Sequence, residues 1–421
     1  MINWVFDDPS TYRTMTACPD TVIGDDLSLL SGRFPIPNLF RYWQYSGRLS
    51  NNDGSSRNVH GLDNRPERYI YNIGTWIEPH VWAGMPGNES GFASLFDIIP
   101  SEVMEDARNG RALVILDGLN EGFYDDKLYG FMHASMQQHS MPPSSLMYVT
   151  SNSMEPEMYA TWADENRVVD RMHVISFCHW QYQFRQYSMR SETPTWDDHR
   201  RTKSKNSKLI KTFNCLNRFK RLHREYLMLM LINSGLHQQG IISHDTLEIG
   251  DWEGYGIPPE LISLSDSILP LTVDDRDFSN NKAANFNPDI YNRSWISVVT
   301  ETHAVDEPGS FFISEKTWKP IFALQPFMIL GHACTLEKLQ GMGYKTFHGL
   351  IDESYDKMKL IDRVNGIVNN LTRLHAIRDK WSWLESCRDI CLHNQRMFMA
   401  NDFFDSKAYR DIIKAYNSLS V

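Results

Sequence analysis

At 421 residues the chain is too long for one ordinary hydrophobic core, so two domains are expected. Hydrophobic residues make up 42% and aromatic residues 12%, the composition of a soluble globular protein rather than a disordered or fibrous one. The formal charge of −10 excludes a large generic phosphate-binding surface and leaves the basic run from Arg200 to Lys208 as a local exception.

No apolar run approaches the roughly 20 residues that span a bilayer, so no membrane span is expected. The opening, Met1 to Pro9, has neither a basic stretch nor an apolar core and does not read as a secretory signal. The 6 cysteines are scattered, which suits a reducing compartment and points to the cytoplasm. Cys387 and Cys391 stand one helical turn apart near His393, but no second ligand pair follows at zinc spacing, so no metal is expected there.

The first hundred residues are rich in Pro, Gly, Asn and aromatics and show little periodicity. Turn signals at Asn52-Asp53-Gly54 and Met85-Pro86-Gly87 break them up. Residues 112–117 are an apolar run ending in Asp117, followed by Gly118-Leu119-Asn120-Glu121-Gly122. Similar runs at 146–150 and 172–177, with helical patterns at 125–139 and 155–166 between them, predict βαβ units and a parallel sheet. The polar, basic stretch 193–208 reads as an interdomain linker or mobile loop. The pattern restarts with a strand at 209–217 and a helix at 222–236, for which Gly235 is the stop. Further strands are predicted at 240–243, 268–272, 294–300 and 326–330, and helices at 315–324, 357–375 and about 380–417.

Domains are therefore expected at 1–205 and 206–395, with 396–421 as a terminal helix returning to the first. The fold class is α/β, with two Rossmann-like domains whose parallel sheets face a central cleft. In such sheets ligands lie outside the carboxyl ends of the strands. The residues that could carry chemistry gather at such places.

Glu315 and Lys316, side by side at a helix start, suit a sugar hydroxyl and a phosphate. Ser314 is the N-cap, and the first N–H groups of the helix add to the field of Lys316. Glu301 ends the preceding strand. Asn217 ends another, and Arg218, Lys220, Arg221 and Arg224 follow it as a possible phosphate cradle. Asp274, Asp275 and Asp277 have the Asp-x-Asp spacing of some metal-binding transferases, but a lone acidic triplet in a polar turn is weak support.

Taken together, the strand-end Glu301, the Ser314-Glu315-Lys316 helix start and the Asn-containing strand end with an arginine six or seven residues on resemble the α1,3-fucosyltransferase family of GT-B glycosyltransferases. The resemblance covers roughly 208–356. It implies a GT-B fold and transfer from a nucleoside-diphosphate sugar to an acceptor hydroxyl, inverting and metal-independent, with the donor as substrate and no separate cofactor. It implies Lys316 on the diphosphate, Glu315 on the ribose, Glu301 facing the donor sugar, and a diphosphate arginine at Arg224 or Arg218. The family's Asn after the strand-end Glu is Thr302 here, so the sugar, hexose or pentose, stays open.

The acceptor-side base should come from the first half. Glu121 is the first choice and Asp117 the second, with His60, His80, His133, His179 and His223 as alternatives. The wording around Lys316 and the segment 341–356 are also similar to phage and marine-virus proteins of glycosyltransferase-like type, which implies a host cytoplasm. Acceptors open at this point are a glycan, a protein or modified bases of viral DNA. A non-catalytic nucleotide-sugar-binding or structural viral protein is the reading from another class. The sequence does not indicate an oligomeric state.

Overall fold

The structure is a computed structural model that describes residues 2–6, 56–60, 62–74, 96, 99–119, 126–189, 192–205, 209–217, 219–248, 252, 254–273, 286–304, 306 and 310–420. Glu121, Arg218, His80 and the triplet Asp274, Asp275 and Asp277 lie outside these residues. The chain divides into two units. One comprises 1–182, 309–312 and 402–421, and the other comprises 183–308 and 313–401. The boundary thus falls at Tyr182 rather than at 205, and the return to the first unit begins at Asp402 rather than at 396.

In the first unit the described strands are β1 (Ile2–Phe6), β2 (Ser56–His60), β3 (Tyr69–Gly74), β4 (Ala112–Gly118), β5 (Leu146–Thr150) and β6 (His173–Ser176). They form a sheet ordered β2-β1-β3-β4-β5-β6, in which every pairing is parallel. Helices α1 (Ser101–Arg108), α2 (Asp126–Gln138) and α3 (Glu155–Glu165) lie between β3 and β6 in the chain, and α4 (His179–Ser188) contains the unit boundary. Parallel neighbours need crossovers, which cover both sheet faces and explain why β4 and β5 are buried throughout. Side chains alternate accordingly. Tyr71, Val114, Leu116 and Tyr148 enter one core with Val103, Leu128 and Met132. Ile70, Leu113, Ile115, Met147 and Val149 enter another with Ile412, Ala415 and Tyr416 of the terminal helix.

The second unit holds α5 (Trp196–Lys205), β7 (Lys211–Leu216), α6 (Leu222–Asn233), β8 (Gly240–Ser243), α7 (Pro259–Ile268), α8 (Pro288–Asn292), β9 (Ser294–Thr300), α9 (Glu315–Phe322), β10 (Phe327–Leu330), α10 (Thr335–Gly341), α11 (Leu360–Ala376), α12 (Lys380–Ser386) and α13 (Arg388–Ala400). The terminal helix, α14 (Lys407–Asn417), belongs to the first unit. The second sheet is ordered β10-β9-β7-β8 and is also wholly parallel. All of β9 and β10 is buried. Gly235 follows α6 with φ 71, the left-handed conformation that ends a helix at little cost only for glycine.

Two expectations are corrected. The stretch expected as a linker is helix α5 over most of its length, and its Trp196, His199 and Lys203 are buried. Lys203 Nζ donates to Tyr291 O at 2.6 Å, to Gln325 Oε1 at 3.1 Å and to Ser294 O, which anchors α5 against α8 and the start of β9. Burial holds its pKa well below the usual lysine value. The strand expected at 268–272 is the end of α7 and a single bridge from Leu271 to His244. The end expected to be helical, about 380–417, is three helices, α12, α13 and α14.

Candidate functional site

The order of the second sheet sets where a ligand can enter. From β7 the chain moves outward to β8, then crosses back to build β9 and β10 on the other side. The helices after β7 and β9 leave in opposite senses, so a crevice opens at the carboxyl ends of these two strands. Asn217 follows β7 and Glu301 follows β9, which brings two of the sequence-selected residues to this switch point. Thr300 Oγ1 donates to Asn217 Oδ1, joining the two ends directly.

Glu301 is fully buried. Its Oε2 accepts the Ser314 N–H at 2.9 Å and its Oε1 accepts the Thr317 hydroxyl at 2.5 Å. The acid expected to face a sugar is thus occupied in fixing the start of α9, because the N-terminal N–H groups of a helix have no partner within it. Gly331, after β10, makes room for this arrangement. A Cβ there would lie 3.0 Å from Thr335 Oγ1 and 3.4 Å from Glu301 Cγ.

Arg224 is buried as well. Its Nη2 donates to Glu301 O at 2.9 Å and to Thr300 O at 3.3 Å, and its Nη1 donates to Phe219 O at 2.9 Å. Burial, reinforced by the nearby Arg221 charge and opposed by Glu301 and Glu315, pushes its pKa down to about 10. His223 Nε2 donates to the same Glu301 carbonyl at 2.9 Å, and burial beside Arg224 keeps this imidazole neutral. Arg224 thus ties the start of α6 to the end of β9 through backbone carbonyls.

The groups left at the surface are Glu315 and Lys316. Ser314 Oγ accepts the Lys316 N–H at 3.3 Å, which makes Ser314 the N-cap of α9 as its sequence position implies. Lys316 Nζ lies 3.0 Å from Glu315 Oε1 and 3.3 Å from Ser314 Oγ. The Lys316 side chain is 29% exposed and that of Glu315 is 12% exposed. Burial alone would raise the Glu315 carboxyl, but Lys316 and Lys319 outweigh it and hold the group below its ordinary value. An ionised acid and a cation, fixed beside helix N–H groups, can accept from hydroxyls and neutralise an anionic oxygen at the same place.

Sequence reasoning named Arg221 only as one of several cations. It occupies the N-cap position of α6 and is exposed, so it is better placed for an anion than Arg224. It also passed over His244, His303 and His332, which gather at the ends of β8, β9 and β10. The His303 and His332 rings stack with centroids 6.3 Å apart. Each follows a parallel strand by one to three residues, and that position is the signal that could have found them.

In the first unit Asp117 is fully buried and its Oδ1 accepts the Leu119 N–H at 3.3 Å, so it shapes its own turn and does not face solvent as a base. It is the penultimate residue of β4, whereas the order of that sheet reverses between β1 and β3. His133 packs against Tyr159 and Trp162 and bonds Tyr159 OH at 3.0 Å, a core position. His179 is buried and its pKa is pushed down to about 3 by desolvation. Among the described residues no group of three or more His, Cys, Asp or Glu could hold a metal, and no helix is long and apolar enough to cross a membrane.

No family model matches the chain. No curated protein matches it either. Among solved structures, the chain is similar to α,α-trehalose 6-phosphate synthase from Burkholderia multivorans, with 10% identity and a TM-score of 0.41 over 97% of this chain and 79% of that chain.

Proposed function

We propose that the chain is a GT-B-like glycosyltransferase that moves a sugar, hexose or pentose, from a nucleoside-diphosphate sugar to an acceptor hydroxyl. The observation that carries the reading is the Glu315–Lys316 pair at the Ser314-capped start of α9, standing where the strand order of a parallel sheet reverses. The departing diphosphate gains negative charge as the sugar leaves. Lys316, the first N–H groups of α9 and Arg221 neutralise that charge without a metal. Glu315 accepts from the ribose hydroxyls. Glu301, Arg224 and Asn217 hold these groups in register as positioning residues.

The acceptor hydroxyl must lose a proton, and Glu121 is the base in this reading, with inversion at the sugar carbon. Asp117, the second choice, is buried and accepts the Leu119 N–H. The fucosyltransferase and viral likenesses rest on the motif residues around Lys316, and the cytoplasmic location on the scattered cysteines. A DNA acceptor would draw on the basic residues between 200 and 224, and the start of that stretch, 200–205, is part of helix α5. There Lys203 is buried, and Arg200 and Arg201 pair with Glu385 and Asp198.

A panel of nucleoside diphosphates and their sugars tests the donor half by thermal shift. At a hundred times its dissociation constant a true ligand stabilises by about 2.7 kcal/mol, a midpoint rise of roughly 5 °C. Lys316→Ala should abolish the rise while keeping the unliganded midpoint. An unchanged rise in that variant would remove Lys316 from the donor site, and no rise with any nucleotide would overturn the reading.

A further inference from the structure

Beyond β10, the edge strand of the second sheet, the chain forms a cavity of about 800 Å³ that shares no residue with the crevice around Glu301 and Lys316. It is walled by α10, by residues 348–357 and by the second half of α11, and its volume lies in the range of small-molecule sites. Its floor is aliphatic, because Leu336, Ile351 and Leu374 are buried there. Its polar wall is fixed by bonds within the protein. Buried Asn370 donates from Nδ2 to Asp352 O at 2.8 Å, and its Oδ1 accepts the Asp352 N–H at 3.1 Å. Asp352 Oδ1 accepts the Ser354 hydroxyl at 2.7 Å, and its Oδ2 accepts from Arg373 Nη1 at 3.3 Å. Glu353 accepts the Phe347 N–H at 2.5 Å and the Thr346 hydroxyl at 2.8 Å. At the rim Lys357 Nζ lies 3.0 Å from Glu337 Oε2. A wall held in this way loses little freedom when a ligand enters.

The charges select the ligand. Glu337, Asp352, Glu353 and Asp356 line the cavity against Lys357 and Arg373, with His348 the remaining titratable group, so an anion meets an excess of like charge. A cation gains little, because each carboxylate already holds a cation, a hydroxyl or an N–H group. A hydroxyl fits without displacing any of them. It donates to a carboxylate lone pair and accepts from the neighbouring N–H, and the ion pair stays intact. Adjacent hydroxyls on a ring with an apolar C–H face match the Asp352–Arg373 and Glu337–Lys357 pairs above an aliphatic floor. We propose that this cavity binds a neutral sugar ring, as a carbohydrate site separate from the donor crevice. The site stands whether or not the crevice takes a nucleotide.

Saturation-transfer NMR and calorimetry with glucose, galactose, mannose and N-acetylglucosamine test the site, with glucosamine and glucose 6-phosphate as charged probes. At least one neutral sugar should bind in the millimolar range, and more tightly than either charged probe. Saturating UDP or GDP should leave that affinity within about two-fold. Arg373→Ala should weaken the sugar about ten-fold, and so should Glu337→Ala combined with Lys357→Ala. These pairs are largely exposed and contribute little to stability, so the thermal midpoint of either variant should stay within about 2 °C. Binding of none of the four sugars, tighter binding of a charged probe, or full affinity in either variant overturns the inference. Displacement of the sugar by UDP or GDP overturns it too, since that result puts the sugar in the crevice.

Discussion

Two carboxylates stand at the ends of buried parallel strands in this chain, Asp117 as the penultimate residue of β4 and Glu301 directly after β9, and they are put to different uses. Asp117 receives the N–H of Leu119 and shapes the turn it stands in. Glu301 receives the Ser314 N–H and the Thr317 hydroxyl, and its carbonyl receives His223 and Arg224, so one residue joins β9 to the starts of α6 and α9. The strands are alike in burial and in parallel pairing. They differ in place, because β9 borders the reversal of strand order in its sheet and β4 does not. Topology, more than residue type, decides which strand-end acid can organise a crevice.

Acid should have the largest effect, and it strikes both units. Burial lowers the pKa of His179 in the first unit and of His199 and His223 in the second. Below about 6.5 the unfolded chain takes up protons that these folded imidazoles refuse, so stability falls as pH falls, continuing toward about 3 for His179. Three such groups give a slope of about 4 kcal/mol per pH unit. Denaturation midpoints at pH 7, 6 and 5 measure it, and His179→Phe should remove about a third of the slope. Equal stability at pH 7 and pH 5 would show that these imidazoles are not held neutral.

Glu301→Ala comes next. It leaves the Ser314 N–H, the Thr317 hydroxyl and the Arg224 charge without their acid, which should cost about 3 kcal/mol in urea unfolding and should also reduce nucleotide binding. Asp117→Asn should leave nucleotide binding unchanged whatever it does to stability. Loss of binding in Asp117→Asn would break the comparison. The smallest effect belongs to Ser314→Ala, which removes the cap of α9 and should cost about 1 kcal/mol in the same unfolding experiment. A cost near zero would show that the Glu301 carboxylate alone holds the helix start.

The elements easiest to read in the sequence are those whose physics is local. The apolar runs of β4, β5 and β9 announce strands buried on both faces, and Gly235 announces the stop of α6. Helix α5 was hidden because its inward face is Trp196, His199 and Lys203, so the periodic signal is carried by a charged and a polar residue as much as by an apolar one. At the site, Ser314, Glu315 and Lys316 were legible as a capped helix start. The burial of Glu301 and Arg224 was not. A strand-end acid that faces solvent and one that faces a helix N–H are written with the same letter. Thr317, placed to meet Glu301 from the first turn of α9, was the one local hint.

The terminal helix sets a condition on how the chain is made. Ile412, Ala415 and Tyr416 of α14 cover the face of the first sheet that carries Ile70, Leu113, Ile115, Met147 and Val149. During synthesis that face is complete once β6 has emerged, yet the residues of α14 that cover it are translated only after the second unit. The first unit must therefore wait, one face uncovered, while all of the second is being built. A fragment ending at Tyr182 would keep that exposed face permanently, and a nascent chain would need protection from aggregation until α14 leaves the ribosome.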